Sequence, residues 1–451
     1  MFFVRDKNFY SKILTIAVPI TLQSLITFAT NMMDTIMVGS LGEISLSAAS
    51  LSGQVFFVLS VLCFGIGGGG AVLTSQFWGK KDTKSISKTL SITIRLSLLV
   101  GIVAMLLALT IPDKLLSFYI NDFNVIQAGI PYLRLASLIY PLFAVLTITS
   151  IILRTTSQIK ISVLGNSIAF VLNVIFNYIF IFGKFGMPQM GLTGAAVGTV
   201  ISRIVEFCII LGYLFFVEKN LKFRFKDLFS FDKEIFVKYL KSGINVLISD
   251  ALLVAGLTSL TMILGRLGPE MIAANSICSI VIQLSTVFIN GISSSGLVII
   301  GNTIGEGKFS LAKEQSRTFL LISIIIGIGA SLLIMVTKHF IIDFYNVEQV
   351  TKDIAYELMN GAIFIIIFQV PSSVLTKGIL RGGGDTKFLV FADVLFLWLL
   401  SIPLGMLAAF VFKFSPAIIY VCLKFDEIIK AIWCTLRMMG NKWIKDVTVK
   451  I

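Results

Sequence analysis

LGEISLSAAS, residues 41–50, returns 226 positions later as LGPEMIAANS, residues 267–276. At the same offset, without gaps, Gly65-Ile66 matches Gly291-Ile292, Gly70 matches Gly296 and Gly79 matches Gly305. A later echo pairs LRTTSQIKI from Leu153 with LRGGGDTKF from Leu380. A repeat this long inside a hydrophobic chain points to a duplicated membrane module. Duplicated helical bundles around a central site are the common build of secondary transporters.

The composition supports a membrane setting. Hydrophobic residues make up 56% of the chain and charged residues 14%, with a mean hydropathy of +0.95. A soluble chain of 451 residues needs more charge to cover its surface. Apolar stretches of spanning length recur, among them 94–111, 319–336 and 388–412. The pattern predicts about twelve helices, with cores at 13–38, 46–78, 88–111, 124–153, 161–183, 192–217, 239–265, 271–304, 314–336, 354–380, 388–412 and 415–437. The expected fold class is thus all-α and polytopic.

The net charge of +13 is a topology signal rather than a nucleic-acid footprint. Basic residues gather in alternate loops: Arg5 and Lys7; Lys80, Lys81 and Lys84; Lys160; Lys219, Lys222, Arg224 and Lys226; Lys308 and Lys313; Lys387; Lys442 and Lys445. The other loops carry Glu43, Asp113, Asp122, Glu270, Asp343 and Glu348. This alternation predicts a multi-pass protein of the plasma (inner) membrane with both termini cytoplasmic. The start of the chain is charged and runs into a long span, so span one is read as its own uncleaved signal. The stretch EKNLKFRFKDLFSFDKE, 218–234, is too charged to span. It divides the chain into an N-terminal six-helix lobe at 1–217, a cytoplasmic linker at 218–238, and a C-terminal six-helix lobe with a short tail at 239–451. With six helices in each, the halves share one orientation.

The chain does not read as an enzyme. It has no GxxxxGK[ST] phosphate loop, HExxH or GxSxG. Five scattered cysteines and the lone His339 lack metal-ligand spacing, so the cysteines read as buried free thiols and no cofactor is expected.

Candidate chemistry lies in a few polar side chains within apolar spans. Asp34 is in the outer half of helix one, and Gln23, Thr27, Thr30, Asn31 and Asp34 share one helical stripe. An embedded carboxylate marks a site or a partner. The plainer reading is a helix-end acid hydrated at the headgroups. Asn166, Asn173 and Asn177 line one face of helix five. Such amides bind a ligand or glue helices together. Carboxylate, amide and hydroxyl oxygens together suit a hard cation or a proton relay. In the second half, Asp250 and Asp393 are the embedded acids, and each admits a functional or a structural reading. Pro19 interrupts helix one and predicts a bend that is either a hinge or static. Pro141, Pro371 and Pro403 raise the same question elsewhere.

Several stretches together resemble the multidrug and toxic compound extrusion (MATE) family of antiporters. They are AVPITLQSLITFATNMMDTIMVGSLG in helix one with the LG…AA register after it, LNVIFNYIFIFG in helix five, PQMGLTGAAVGT opening helix six, and LRGGGDTKF after helix ten. The resemblance covers nearly the whole chain. It implies two six-helix lobes forming a V around a central cavity. It also implies export of organic cations, drugs and other amphipathic xenobiotics by a monomer in lipid, driven by inward proton or sodium flow. It places the N-lobe cation site, open to sodium or a proton, at Asp34, Asn173, Asn177 and Thr199. Some members carry an aspartate where this chain has Asn177, so one carboxylate is absent here. Asp250 falls on the position of a helix-seven glutamate of other members. Their helix-ten acid is replaced near Ser372 and Ser373, and Asp393 could substitute for it. Gln23, Thr27 and Asn31 fall to the substrate cavity. A flippase for a lipid-linked precursor, of the same fold superfamily, is the alternative reading.

Overall fold

A computed structural model describes residues 3–120, 122–221, 223–345 and 347–449. Lys222, counted above among the loop cations, lies outside them. The described residues form seventeen α-helices and no strand. In chain order the first eight are α1 (Lys7–Gly39), α2 (Glu43–Gly79), α3 (Thr83–Thr110), α4 (Pro112–Ser117), α5 (Phe123–Ser137), α6 (Tyr140–Thr155), α7 (Ile159–Phe182) and α8 (Gly191–Gly212). The remainder are α9 (Lys233–Gly265), α10 (Pro269–Thr286), α11 (Phe288–Gly305), α12 (Phe309–Phe344), α13 (Gln349–Ser373), α14 (Thr386–Phe396), α15 (Ile402–Met406), α16 (Pro416–Leu423) and α17 (Phe425–Met439). Ten continuous helical stretches, one of them joining α14 and α15 through π-helical turns, are long and apolar enough to cross a membrane, and the pair α5–α6, bent by 49°, makes eleven. The pair α16–α17 supplies the twelfth predicted span. It departs from the others because Lys424, Asp426, Glu427 and Lys430 sit along it.

Several predicted rods are broken. The helix expected at 124–153 is α5 and α6, separated at Leu138 and Ile139. Pro141 lies in the first turn of α6, where its missing N–H leaves no bond unmade. The helix expected at 271–304 breaks at Val287, and that at 415–437 breaks at Lys424. Span ten widens into a π-helical stretch, Val374–Leu380, just beyond Pro371. Span eleven does so at Leu397–Ser401 and Leu407–Val411, on either side of Pro403. Pro19, by contrast, lies inside an unbroken α1.

The chain divides into two compact units. One contains Leu22–Thr74 and Asp82–Leu240. The other contains Met1–Thr21, Ser75–Lys81 and Lys241–Ile451. Helix α1 thus changes unit between Thr21 and Leu22, two residues beyond Pro19.

Apolar cores of the unit built on Leu22–Thr74 include two among the described residues. Leu59, Cys63, Leu116, Leu133 and Tyr140 form one, and Val38, Val125, Ile181 and Leu192 form the other. Small residues set its closest helix pair. A Cβ on Gly194 of α8 would lie 2.5 Å from the Phe180 carbonyl oxygen of α7, so only glycine admits this approach. The linker is stapled to the same unit. Ser87 and Ser91 donate to the carbonyls of Leu221 and Leu228 at 3.1 Å, and Arg95 donates to that of Ser230 at 2.7 Å. Lys88 pairs with Asp232 at 2.7 Å, and its hydrogen bond holds that carboxyl below the usual range. Phe225, Phe229 and Phe231 stay exposed, which suits residues at a membrane interface.

In the other unit, residues of α10, α12, α13 and α16 share one core, including Cys278, Ile334, Leu358, Ile366 and Leu423. Here the repeat becomes geometry. A Cβ on Gly79 would stand 2.0 Å from the carbonyl oxygen of Asn302, and one on Gly305 would stand 2.0 Å from that of Gln76. Gln76 and Asn302 are themselves 226 positions apart, so the matched glycines make one reciprocal backbone crossing. The five cysteines are free, but against expectation Cys208 is exposed and Cys422 only half-buried.

Candidate functional site

The site begins with why α7 can carry buried amides. Asn166, Asn173 and Asn177 are all buried on the face of α7 packed toward α8. That face of α8 is nearly bare. A Cβ on Gly198 would lie 2.3 Å from Asn177 Oδ1, so this glycine makes the notch into which the amide fits.

Asp34 joins them from the C-terminal half of α1. Asn177 Nδ2 donates to Asp34 Oδ1 at 2.6 Å and to Asn173 Oδ1 at 3.3 Å. Asn173 Nδ2 donates to Thr199 Oγ1 at 3.2 Å, and the Thr199 hydroxyl donates to the Ala195 carbonyl at 3.0 Å. Four side chains from three helices therefore form one series ending on a half-buried carboxylate. Asn177 Oδ1 is buried and takes no hydrogen bond. Arg203, one turn beyond Thr199, is paired with Glu206 at 2.6 Å.

The donor set fits a small hard cation: one carboxylate, two amide oxygens and a hydroxyl, with one amide oxygen unbonded. It equally allows a proton on Asp34. No group of three or more His, Cys, Asp or Glu side chains occurs among the described residues, so a tight transition-metal site has no counterpart there.

The rest of the helix-one stripe does not join this series. Thr27 and Asn31 are exposed, and the Thr27 hydroxyl donates to the Gln23 carbonyl of its own helix. Thr30 is buried and donates likewise to Ile26. Gln23 Oε1 accepts from Arg154 Nη2 of α6 at 2.7 Å.

In the second half, Asp250 has a partner that its neighbourhood in sequence does not reveal. Arg381 donates to its two oxygens at 2.8 and 3.4 Å. Asp393 accepts from Ser249 at 2.6 Å. The hydrogen-bond partners of the two acids thus differ, a guanidinium for Asp250 and a hydroxyl for Asp393. Sequence reasoning missed a third cluster. On α17, Lys430 pairs with Asp426 at 2.9 Å and Glu427 at 3.4 Å. Ser401 donates to Asp426 at 3.0 Å, and Ser372 donates to Glu427 at 2.7 Å. The available signal was KFDEIIK, 424–430, whose charges recur three and four apart inside an apolar stretch. Ser372 had drawn notice only as the place of an absent acid; here it touches one.

A duplicated set of membrane-spanning helices, with isolated embedded acids each tied to polar partners, defines a polytopic transporter. The chain belongs to the MatE family, whose profile matches residues 19–179 and again 246–407, once in each half. It is 26% identical over 417 residues to a probable multidrug resistance protein NorM of Agrobacterium fabrum, covering 89% of this chain and 87% of that one. It is 24% identical to the probable multidrug resistance protein YoeA of Bacillus subtilis, covering 86% of this chain and 84% of that protein. Among solved structures, a MOP superfamily transporter from Pyrococcus furiosus, for which a reversed polarity of the binding pocket is described, superposes with a TM-score of 0.86 at 18% identity. The match covers 96% of both chains. An outward-facing multidrug resistance MATE transporter gives the same TM-score and identity over 95% of each chain. At this identity the structures establish the fold alone.

Proposed function

We propose that the chain is a cation-coupled secondary antiporter that exports organic cations, drugs and other amphipathic compounds by alternating access. Asp34, Asn177, Asn173 and Thr199 are its coupling site. The observation that supports this best is the hydrogen-bonded series from Asp34 to Thr199, which gives one embedded carboxylate neutral partners only. An ion or proton arriving there changes the charge of the site by one, which is what coupling requires. Proteoliposomes loaded with a fluorescent organic cation, under an imposed sodium or pH gradient, test it. Efflux driven by one gradient and not the other names the ion, and efflux indifferent to both rejects the reading.

On this reading the lobes are 1–217 and 239–451, with 218–238 a cytoplasmic linker. The protein works as a monomer in the plasma membrane with both termini inside, and Pro19 is the helix-one hinge. On the same reading the stretch 338–352 is external; it is mostly helix, since α12 runs to Phe344 and α13 starts at Gln349. Single cysteines at the exposed positions Lys226 and Glu348, on a cysteine-free background that also removes exposed Cys208, test the orientation. An impermeant thiol reagent added outside intact cells is expected to label Glu348→Cys and spare Lys226→Cys. The reverse pattern inverts the topology and with it the direction of transport.

A further inference from the structure

Arg154 and Arg381 are 227 positions apart, and so are their partners Gln23 and Asp250. The shorter contact is the same in both halves, and only Arg381 adds a second, from Nη1 to Asp250 Oδ2 at 3.4 Å. Arg154 Nη2 donates to Gln23 Oε1 at 2.7 Å, and Arg381 Nη2 donates to Asp250 Oδ1 at 2.8 Å. Gln23 lies midway along α1 and Asp250 midway along α9, both helices of 33 residues. In both arginines Nε is buried without a partner. The duplicated module has therefore kept its arginine in both halves and its carboxylate in only one. Arg381 is neutralised. Among the described residues Arg154 forms no ion pair, and its one hydrogen bond is the one Nη2 donates to Gln23. It remains partly exposed.

An unneutralised guanidinium in a membrane-embedded helix is costly, and its planar fork matches anionic oxygens. We propose that Arg154, steadied by Gln23, binds an anionic oxygen group of the transported amphiphile, a carboxylate or a phosphate. The cargo is then amphoteric or anionic at one end rather than a bare organic cation. The inference deepens the export reading and rests on it.

The two dyes rhodamine 110 and rhodamine 123 differ by a carboxylate against its methyl ester, so they isolate this contact. Binding is followed by fluorescence anisotropy on purified full-length protein in detergent, without any gradient. The carboxylate dye is expected to bind about tenfold tighter than the ester, the scale of one charge-assisted hydrogen bond. Arg154→Gln is expected to bring that ratio to about one. Gln23→Glu is the control for folding, since it rebuilds the ion pair that Asp250 and Arg381 already make, and it too should abolish the preference. Farnesyl phosphate competing where farnesol does not would assign the anionic group to a lipid phosphate. A wild-type ratio near one with no such competition overturns the proposal. So does a preference that survives both substitutions, which would leave the arginine a clamp between α1 and α6. If neither dye binds, the export reading itself fails.

Discussion

Asp34→Asn is expected to insert, fold and bind drug, yet to lose gradient-driven export. The amide keeps the shape of the carboxylate and can still accept from Asn177 Nδ2, so the packing of α1 on α7 survives. It cannot gain or lose a proton near neutral pH, and it offers a cation no charge. Asn173, Asn177 and Thr199 are all neutral and cannot replace it. One elementary charge moved through 100 mV is worth about 2.3 kcal/mol, or roughly fifty-fold in concentration. A transporter that no longer couples one charge forfeits a factor of about that size in drug accumulation per 100 mV. The measurement is steady-state efflux against a gradient in cells or proteoliposomes, with equilibrium drug binding as the control for folding. Wild-type resistance in cells holding normal amounts of the variant contradicts the assignment of Asp34.

How far the sequence led can be judged at particular residues. Asp34, Asn173 and Asn177 were legible because a polar group in an apolar span has few innocent reasons to be there, and helical spacing put the asparagines on one line. Thr199 was legible only through the motif around it, since a threonine that bonds back to its own helix looks the same anywhere. The partner of Asp250 was not legible, because Arg381 lies 131 positions away and nothing local links them. Arg154 and Gln23 are hidden in the same way and by the same separation. The breaks at Ile139, Val287 and Lys424 escaped because hydropathy averages over a window, whereas a helix bends where single backbone bonds fail. The repeat in the glycines was visible as letters. That Gly79 and Gly305 meet the backbones of opposite copies could come only from coordinates.

Lys430→Met is expected to destabilise the protein by about 3–5 kcal/mol, the cost of breaking a buried ion pair by removing one partner. The side chains of Asp426, Glu427 and Lys430 are 3%, 12% and 4% exposed, so no bulk water stands ready to solvate what remains. Lys430 is the one cation paired with both carboxylates among the described residues. Without it, Ser401 and Ser372 supply one hydroxyl to each acid, and neither hydroxyl carries charge. Removing all three charges together has a different consequence. Asp426→Asn, Glu427→Gln and Lys430→Met combined leave three neutral groups of nearly native shape, and replacing a buried pair outright is often close to neutral. The triple variant is therefore expected to regain most of the stability that Lys430→Met loses. Thermal unfolding in detergent, with the single and triple variants compared side by side, reads this coupling. If the triple variant melts as low as the single one, α17 is held by packing around Lys430 and the cluster contributes little. If it recovers stability but loses drug export, the charges on α17 serve transport rather than the fold.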